Sequence, residues 1–139
     1  MQKITDEITK CSAILGITPG ISTNAFMDRK KVNKSKRGIY VIVEDGLPLY
    51  VGKGKIGSRH TKHMNKILGK ALATKTPEPK GWVWLREERK SDPNNWDFIQ
   101  VFLDSYTQES LMESWLIHFL RPPVNDEVFS ENQELGVDK

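Results

Sequence analysis

Apolar positions along this chain repeat at two periods, and each period marks a different kind of element. Ile4, Ile8 and Leu15 recur near helical spacing, so residues 3 to 15 are expected to form a short amphipathic helix. "TPGIST" interrupts that pattern, and "NAFMDRKKVNKSKR" continues as an increasingly basic segment. "GIYVIVE" and "LPLYVG" are β-rich runs around "EDG", the signature of a hairpin. "IGSRHTKHMNKILGKAL" returns to helical patterning, with Arg59 and His63 four residues apart on one face. "WVWLREERK" fits a short helix or a strand equally, between the loop "TKTPEPKG" and the turn "SDPNN". "WDFIQVFL" alternates as a third strand should, and "TQESLMESWLIHFL" reads as an amphipathic helix stopped by Pro122 and Pro123. The expected class is α+β.

The hairpin holds Tyr40 and Tyr50, and its register decides whether they meet. Pairing Glu44 with Pro48 around a three-residue loop sets Ile42 opposite Tyr50 and Tyr40 opposite Gly52, which puts both tyrosines on one face. A two-residue loop would send them to opposite faces. Gly46 suits the left-handed position of the longer loop, so the shared face is the expectation.

Charge sharpens the picture. The 139 residues fit one domain, and the net charge is only +3. Residues 29 to 70, however, carry twelve Lys/Arg against two acids, while every other stretch is net negative. Residues 29 to 37 alone hold six cations, as a mobile arm or as the exposed end of a helix. Lysine-rich stretches often serve only to keep a protein dissolved, but a block this concentrated also has the form of a face for polyanions, phosphate backbones above all. It offers Lys36, Arg37, Lys53, Lys55 and Lys62 as DNA contacts. No apolar run reaches the roughly 18 to 20 residues of a membrane span. The N-terminus lacks the basic start and apolar centre of a secretory signal. Cys11 is the single cysteine, which rules out an internal disulfide or a cysteine zinc cluster and makes a reducing cytoplasm the expected location.

One acid stands out. Glu113 has Leu116, Ile117 and Leu120 at i+3, i+4 and i+7, so it borders the apolar stripe of the last helix. A carboxylate there costs free energy unless a cation or hydrogen bonds compensate. Either Glu113 reaches to solvent or to a lysine, or it ligates a hard divalent ion, which takes one or two carboxylates and fills its other positions with water and phosphate oxygens. Glu109, one turn earlier, is a further acid at ordinary helix-surface spacing. Two phenols, an Arg/His pair, lysines and one carboxylate together suit phosphodiester hydrolysis. A serine or cysteine hydrolase does not fit, because there is no Gly-x-Ser-x-Gly elbow and Cys11 is remote in sequence from any histidine. Nor does "GKGKIGS" have P-loop order.

"GIY" at 38 to 40 and "YVG" at 50 to 52 resemble the signature of the GIY-YIG nucleases. Arg59 and His63 resemble that family's downstream Arg and His/Tyr, with the gap before Arg59 one residue short. "ESWLIHFLRPPVN" is similar to the excision-repair members, giving Glu113, Pro122 and Asn125 at their spacing, and "YVGKGK" resembles their second motif. The resemblance covers roughly residues 37 to 126. It implies a small three-stranded antiparallel sheet flanked by helices, and metal-dependent hydrolysis of DNA. Tyr40 would be the general base or its hydrogen-bond partner, and Tyr50 would position water or share that role. Arg59 would clamp the phosphate, and His63 would accept or relay a proton. Glu113 would hold one Mg²⁺ or Mn²⁺, and Asn125 would orient the phosphate or brace the site. Lys53 and Lys55 would lie nearby, and Gly38 and Gly52 would be structural.

The expected organisation is an N-terminal helical, basic extension over 1–36, a catalytic domain over 37–126 and an acidic tail over 127–139. An insertion at about 72–95 falls inside the catalytic domain, and its Trp82 and Trp84 belong either to the core or to base stacking. Target recognition would then rest on residues 1 to 36, the insertion, a homodimer or a protein partner. The alternatives are a non-catalytic nucleic-acid-binding module and a partner-dependent subunit of a nuclease complex. The intact set of Tyr40, Tyr50, Arg59, His63, Glu113 and Asn125 argues against a degenerate copy. The DNA target and the biological setting, whether repair, restriction, phage or mobile element, stay open.

Overall fold

A computed structural model describes residues 1–69 and 80–125. Its elements are α1 (Gln2–Leu15), β1 (Gly20–Ala25), β2 (Arg37–Glu44), β3 (Leu47–Lys55), α2 (Ile56–Ile67), α3 (Lys80–Val83), β4 (Trp96–Phe102) and α4 (Tyr106–Leu120). The acidic tail and the 72–79 part of the insertion lie outside the described residues. "WVWLREERK" is helical: α3 runs into a π-helical turn, Trp84–Glu88.

The class is α+β, but the sheet has four antiparallel strands, not three, in the order β1-β4-β2-β3. The additional strand comes from the segment read as a helix break. Gly20–Ala25 pairs along β4 from Gly20–Phe102 to Ala25–Asp97. Its side chains are mostly exposed, so the strand is held by its backbone and carries little apolar alternation. Phe26, directly after it, is fully buried against Trp96, Phe98 and the ring of His60.

The sheet separates two apolar layers. Ile39, Val41, Val43, Val51, Ile99 and Val101 pack under α1 and α4, meeting Ile4, Ile8 and Cys11 from one helix and Met112, Leu116 and Leu120 from the other. Tyr40, Ile42, Leu49 and Phe98 face the opposite way, toward Ile56, Met64 and Ile67 of α2 and toward Trp82 and Leu85. The first helix ends where the sequence indicates: Gly16 takes φ 69°, and the N–H groups of Gly16 and Ile17 return to the carbonyls of Ala13 and Ser12. Among the described residues no helix is long and apolar enough to cross a membrane.

The hairpin reaches the expected tyrosine register by another route. Glu44 pairs with Leu47 rather than Pro48, so the loop has two residues, Asp45 and Gly46, both at positive φ. The register then shifts between Ile42 and Val43, and Leu49 is the extra residue of a β-bulge. The bulge restores Ile42 opposite Tyr50 and Tyr40 opposite Gly52. Leu49 and Tyr50, consecutive in the chain, therefore both pack in the Tyr40 layer.

The basic stretch before β2 is neither an arm nor a helix end. After a short 3₁₀ turn, Arg29–Lys31, it is pinned by the buried Gln100. That side chain accepts from Asn33 N–H at 2.9 Å and donates to the Lys31 carbonyl at 3.0 Å and to Asn24 Oδ1 at 2.7 Å. Asn33 Oδ1 then accepts from the N–H groups of Ser35 and Lys36.

Candidate active site

The site is built on β3, an edge strand, where glycine leaves room for the neighbouring ring. Gly52 lies opposite Tyr40, and a Cβ at that position would overlap the Tyr40 Cζ and Oη atoms. The phenol of Tyr40 thus lies across Gly52 and is almost fully buried. Its Oη is 2.7 Å from His63 Nε2. The Tyr50 ring completes the cluster, with its centroid 6.2 Å from Tyr40 and 5.0 Å from His63.

His63 arrives from α2, which starts directly where β3 ends at Lys55. This loop-free junction accommodates the short gap before Arg59. Gly54 at φ +126° sits against Arg59, where a Cβ would be 3.2 Å from Nε. Gly57 lets α2 approach the basic loop, its Cβ position being 3.0 Å from Lys34 Cα. Arg59 itself is exposed, and its positive charge acts on Tyr40, Tyr50, His63 and Glu113 together.

These surroundings set the protonation states. Burial raises both phenols above the ordinary tyrosine range, Tyr40 further than Tyr50. Glu113 raises Tyr50 further and Arg59 opposes it, while the neighbouring Tyr50 phenol raises Tyr40. Tyr50, only partly buried where Tyr40 is almost fully so, is therefore the phenol that releases its proton more readily. Burial holds His63 well below the usual histidine range, helped by Lys66 and Arg59. The imidazole facing Tyr40 is neutral near pH 7.

Glu113 comes from the third turn of α4 and is partly buried. Desolvation raises its carboxyl pKa, against the pull of Lys53 and Arg59. Lys53 Nζ is 3.5 Å from Glu113 Oε1 and donates to Ser110 Oγ at 3.0 Å. No cluster of three or more His, Cys, Asp or Glu side chains able to hold a metal occurs among the described residues. A cation here would have one protein carboxylate, which suits a hard ion completed by water and phosphate oxygens.

Asn125 braces the site. Its Oδ1 accepts from Val51 N–H at 2.7 Å and its Nδ2 donates to the Val51 carbonyl at 2.9 Å, so one side chain closes the edge of β3 as a further strand would. Asn125→Ala removes both bonds and leaves the backbone N–H and carbonyl of the buried Val51 without them, for an expected loss of about 1–3 kcal/mol. Urea denaturation checks this, and an unchanged midpoint would contradict the bracing role.

The predicted cations divide. Lys55 and Lys62 are exposed beside Arg59, and Lys36 is exposed with its ammonium over Phe102 at 4.9 Å. Arg37 is engaged by the protein itself, with Nε and Nη2 at 3.1 and 3.2 Å from the two Glu109 carboxylate oxygens and its guanidinium over Tyr106. Glu109 is correspondingly 1% exposed, not a helix-surface acid. Its partner is far away in sequence, so helical spacing gave no sign of the pair. Sequence reasoning also missed Ser110 as the partner of Lys53. Trp82 proves buried, and its ring stacks on His63, a contact that no spacing in the chain announces. Comparison of the chain with protein-family models, with curated proteins and with solved structures finds no match.

Proposed function

We propose that this chain is a metal-dependent DNA endonuclease that hydrolyses phosphodiester bonds. The observation that carries the reading is the gathering of Tyr40, Tyr50, His63, Arg59 and Glu113 from four elements of the chain, β2, β3, α2 and α4, around one edge of the sheet. The exposed cations Lys36, Lys55, Arg59 and Lys62 would draw in the phosphate backbone and make binding steeply salt-dependent.

Arg59 would hold the scissile phosphate and stabilise charge developing on it. Glu113 would hold Mg²⁺ or Mn²⁺, which supplies further positive charge against the phosphate oxygens. Tyr50, the more accessible phenol, would first release its own proton to solvent and then, as the phenolate, take the proton of the attacking water. Tyr40 would donate a hydrogen bond to that phenolate, with His63 fixing the Tyr40 hydroxyl from behind. Lys53 would keep Glu113 oriented, and Asn125 would keep the edge of β3 in place. With one such site per chain, a monomer would nick duplex DNA rather than cut both strands.

The test is relaxation of supercoiled plasmid by the purified chain in Mg²⁺ and in EDTA. Nicking in Mg²⁺ alone supports the reading, whereas salt-sensitive binding without cutting under either condition supports a binding module. In the same assay Tyr40→Phe is expected to lower the rate about 100-fold, the lower end of acid–base contributions. Its stability should fall by about 1–3 kcal/mol, because His63 Nε2 loses its buried partner. A Tyr40→Phe variant cutting at the wild-type rate would remove Tyr40 from the mechanism.

A further inference from the structure

We propose that Trp82 is a positioning residue of the nuclease site, holding the His63 ring in the plane that directs Nε2 onto Tyr40. The proposal rests on the nuclease reading for its effect on rate, but its geometry stands apart from it. The Trp82 indole lies nearly parallel to the imidazole, at 17° and 4.7 Å between centroids. It also meets the Tyr50 ring at 5.5 Å. A single flat side chain therefore closes one wall of the imidazole–phenol cluster. At 2% exposure it has no free face on which a nucleic-acid base could stack.

The placement of Trp82 is itself fixed. Gly81 packs α3 directly onto the turn after α4, where a Cβ would come within 3.0 Å of Val124 Cγ1 and of the Val124 carbonyl. The next residue in that turn is Asn125, which holds Val51. The insertion and the edge of β3 thus share one anchor. Lys66 Nζ lies over the Trp82 ring at 5.7 Å, which favours an electron-rich aromatic there.

The stack explains why His63 needs an external constraint. Among the described residues its Nδ1 is buried with no hydrogen-bond partner. The usual way of fixing a functional imidazole, a hydrogen bond to its second nitrogen, is therefore missing here. Stacking replaces it. Because an orphaned N–H is costlier than an orphaned lone pair, the proton belongs on Nε2, donated to Tyr40 Oη. The Tyr40 hydroxyl then keeps its own proton to donate. The unpartnered Nδ1 sets the direction of the His63–Tyr40 hydrogen bond, and the ring plane set by Trp82 keeps Nε2 aimed along it.

The test uses the whole chain with Trp82→Leu and Trp82→Phe, reading His63 ring ¹⁵N shifts and plasmid nicking. His60, held separately by the Phe26 carbonyl at 2.6 Å from its Nε2, serves as an internal reference. The wild type should show His63 as one neutral tautomer protonated on Nε2. Trp82→Phe, which retains a flat ring, should keep that pattern and most of the rate. Trp82→Leu should average the His63 tautomers, leave His60 unchanged and slow nicking about 100-fold, the scale expected of a small misplacement. The inference is overturned if Trp82→Leu preserves the His63 pattern, or if Trp82→Phe loses it as completely as Trp82→Leu. If the wild type never nicks DNA, the nuclease reading fails, and the ¹⁵N comparison still decides whether Trp82 sets the imidazole.

Discussion

Gly38→Ala is expected to lower the stability of this protein by about 4 kcal/mol or more, a loss reserved for severe steric or burial faults. Gly38 lies in a central strand, opposite Gly54 on one side and Phe102 on the other. A Cβ there would overlap the Val101 carbonyl oxygen, with Val101 C at 2.9 Å and Leu103 N at 3.1 Å. All three are backbone atoms of the adjacent strand and the residue that follows it, so no side chain can rotate away. Relief requires β2 and β4 to separate, and the sheet that carries Tyr40 would separate with them. Typical domains have only about 5–15 kcal/mol in total, so much of the chain should be unfolded at 37 °C. Gly20→Ala is the control, since its Cβ would meet only Phe102 Cδ2, a side-chain atom at 3.2 Å on an edge strand. Urea unfolding followed by circular dichroism compares the two. A Gly38→Ala midpoint close to that of Gly20→Ala would contradict the close approach of these strands.

The reach of the sequence can be judged residue by residue. Helical periodicity found α1 and α4, which bury one stripe against the core, alternation found β4, and β-rich runs on either side of a turn found β2 and β3. β1 escaped because it joins the sheet through its backbone, with almost no apolar pattern to mark it. The shared face of Tyr40 and Tyr50 was legible, but not its cause: the loop is one residue shorter than expected and the bulge at Leu49 restores the register. A bulge depends on how two strands and a helix layer fit together, which local pattern does not encode.

The site shows the same division. Arg59 and His63 follow from the i, i+4 spacing on α2, and the unusual place of Glu113 follows from its position beside an apolar stripe. Partners that meet across long sequence separations were hidden: Arg37 with Glu109, Lys53 with Ser110, Trp82 with His63. Arg37 shows the consequence most clearly. Read as one more cation in a basic block, it is instead the partner of the buried Glu109 in an ion pair that ties β2 to α4.

Glu113→Gln is expected to have the largest effect on activity, a loss of about 1,000-fold or more, beyond the usual effect of one transition-state-stabilising group. The substitution keeps the shape and removes the charge. Among the described residues only Glu113 offers a carboxylate beside Tyr50, and no cluster of ligands stands ready to take its place. Lys53, now without its carboxylate at 3.5 Å, would present its ammonium to the phosphate instead. Binding to DNA at low salt should therefore hold or tighten while cleavage disappears.

The most direct measurement is nicking of supercoiled plasmid by the wild type and Glu113→Gln, in Mg²⁺ and in EDTA, with DNA affinity measured alongside. The account predicts cleavage only by the wild type and only with Mg²⁺, at similar DNA affinity for both proteins. Equal cutting by Glu113→Gln, or wild-type binding that never leads to cutting in Mg²⁺, would contradict it.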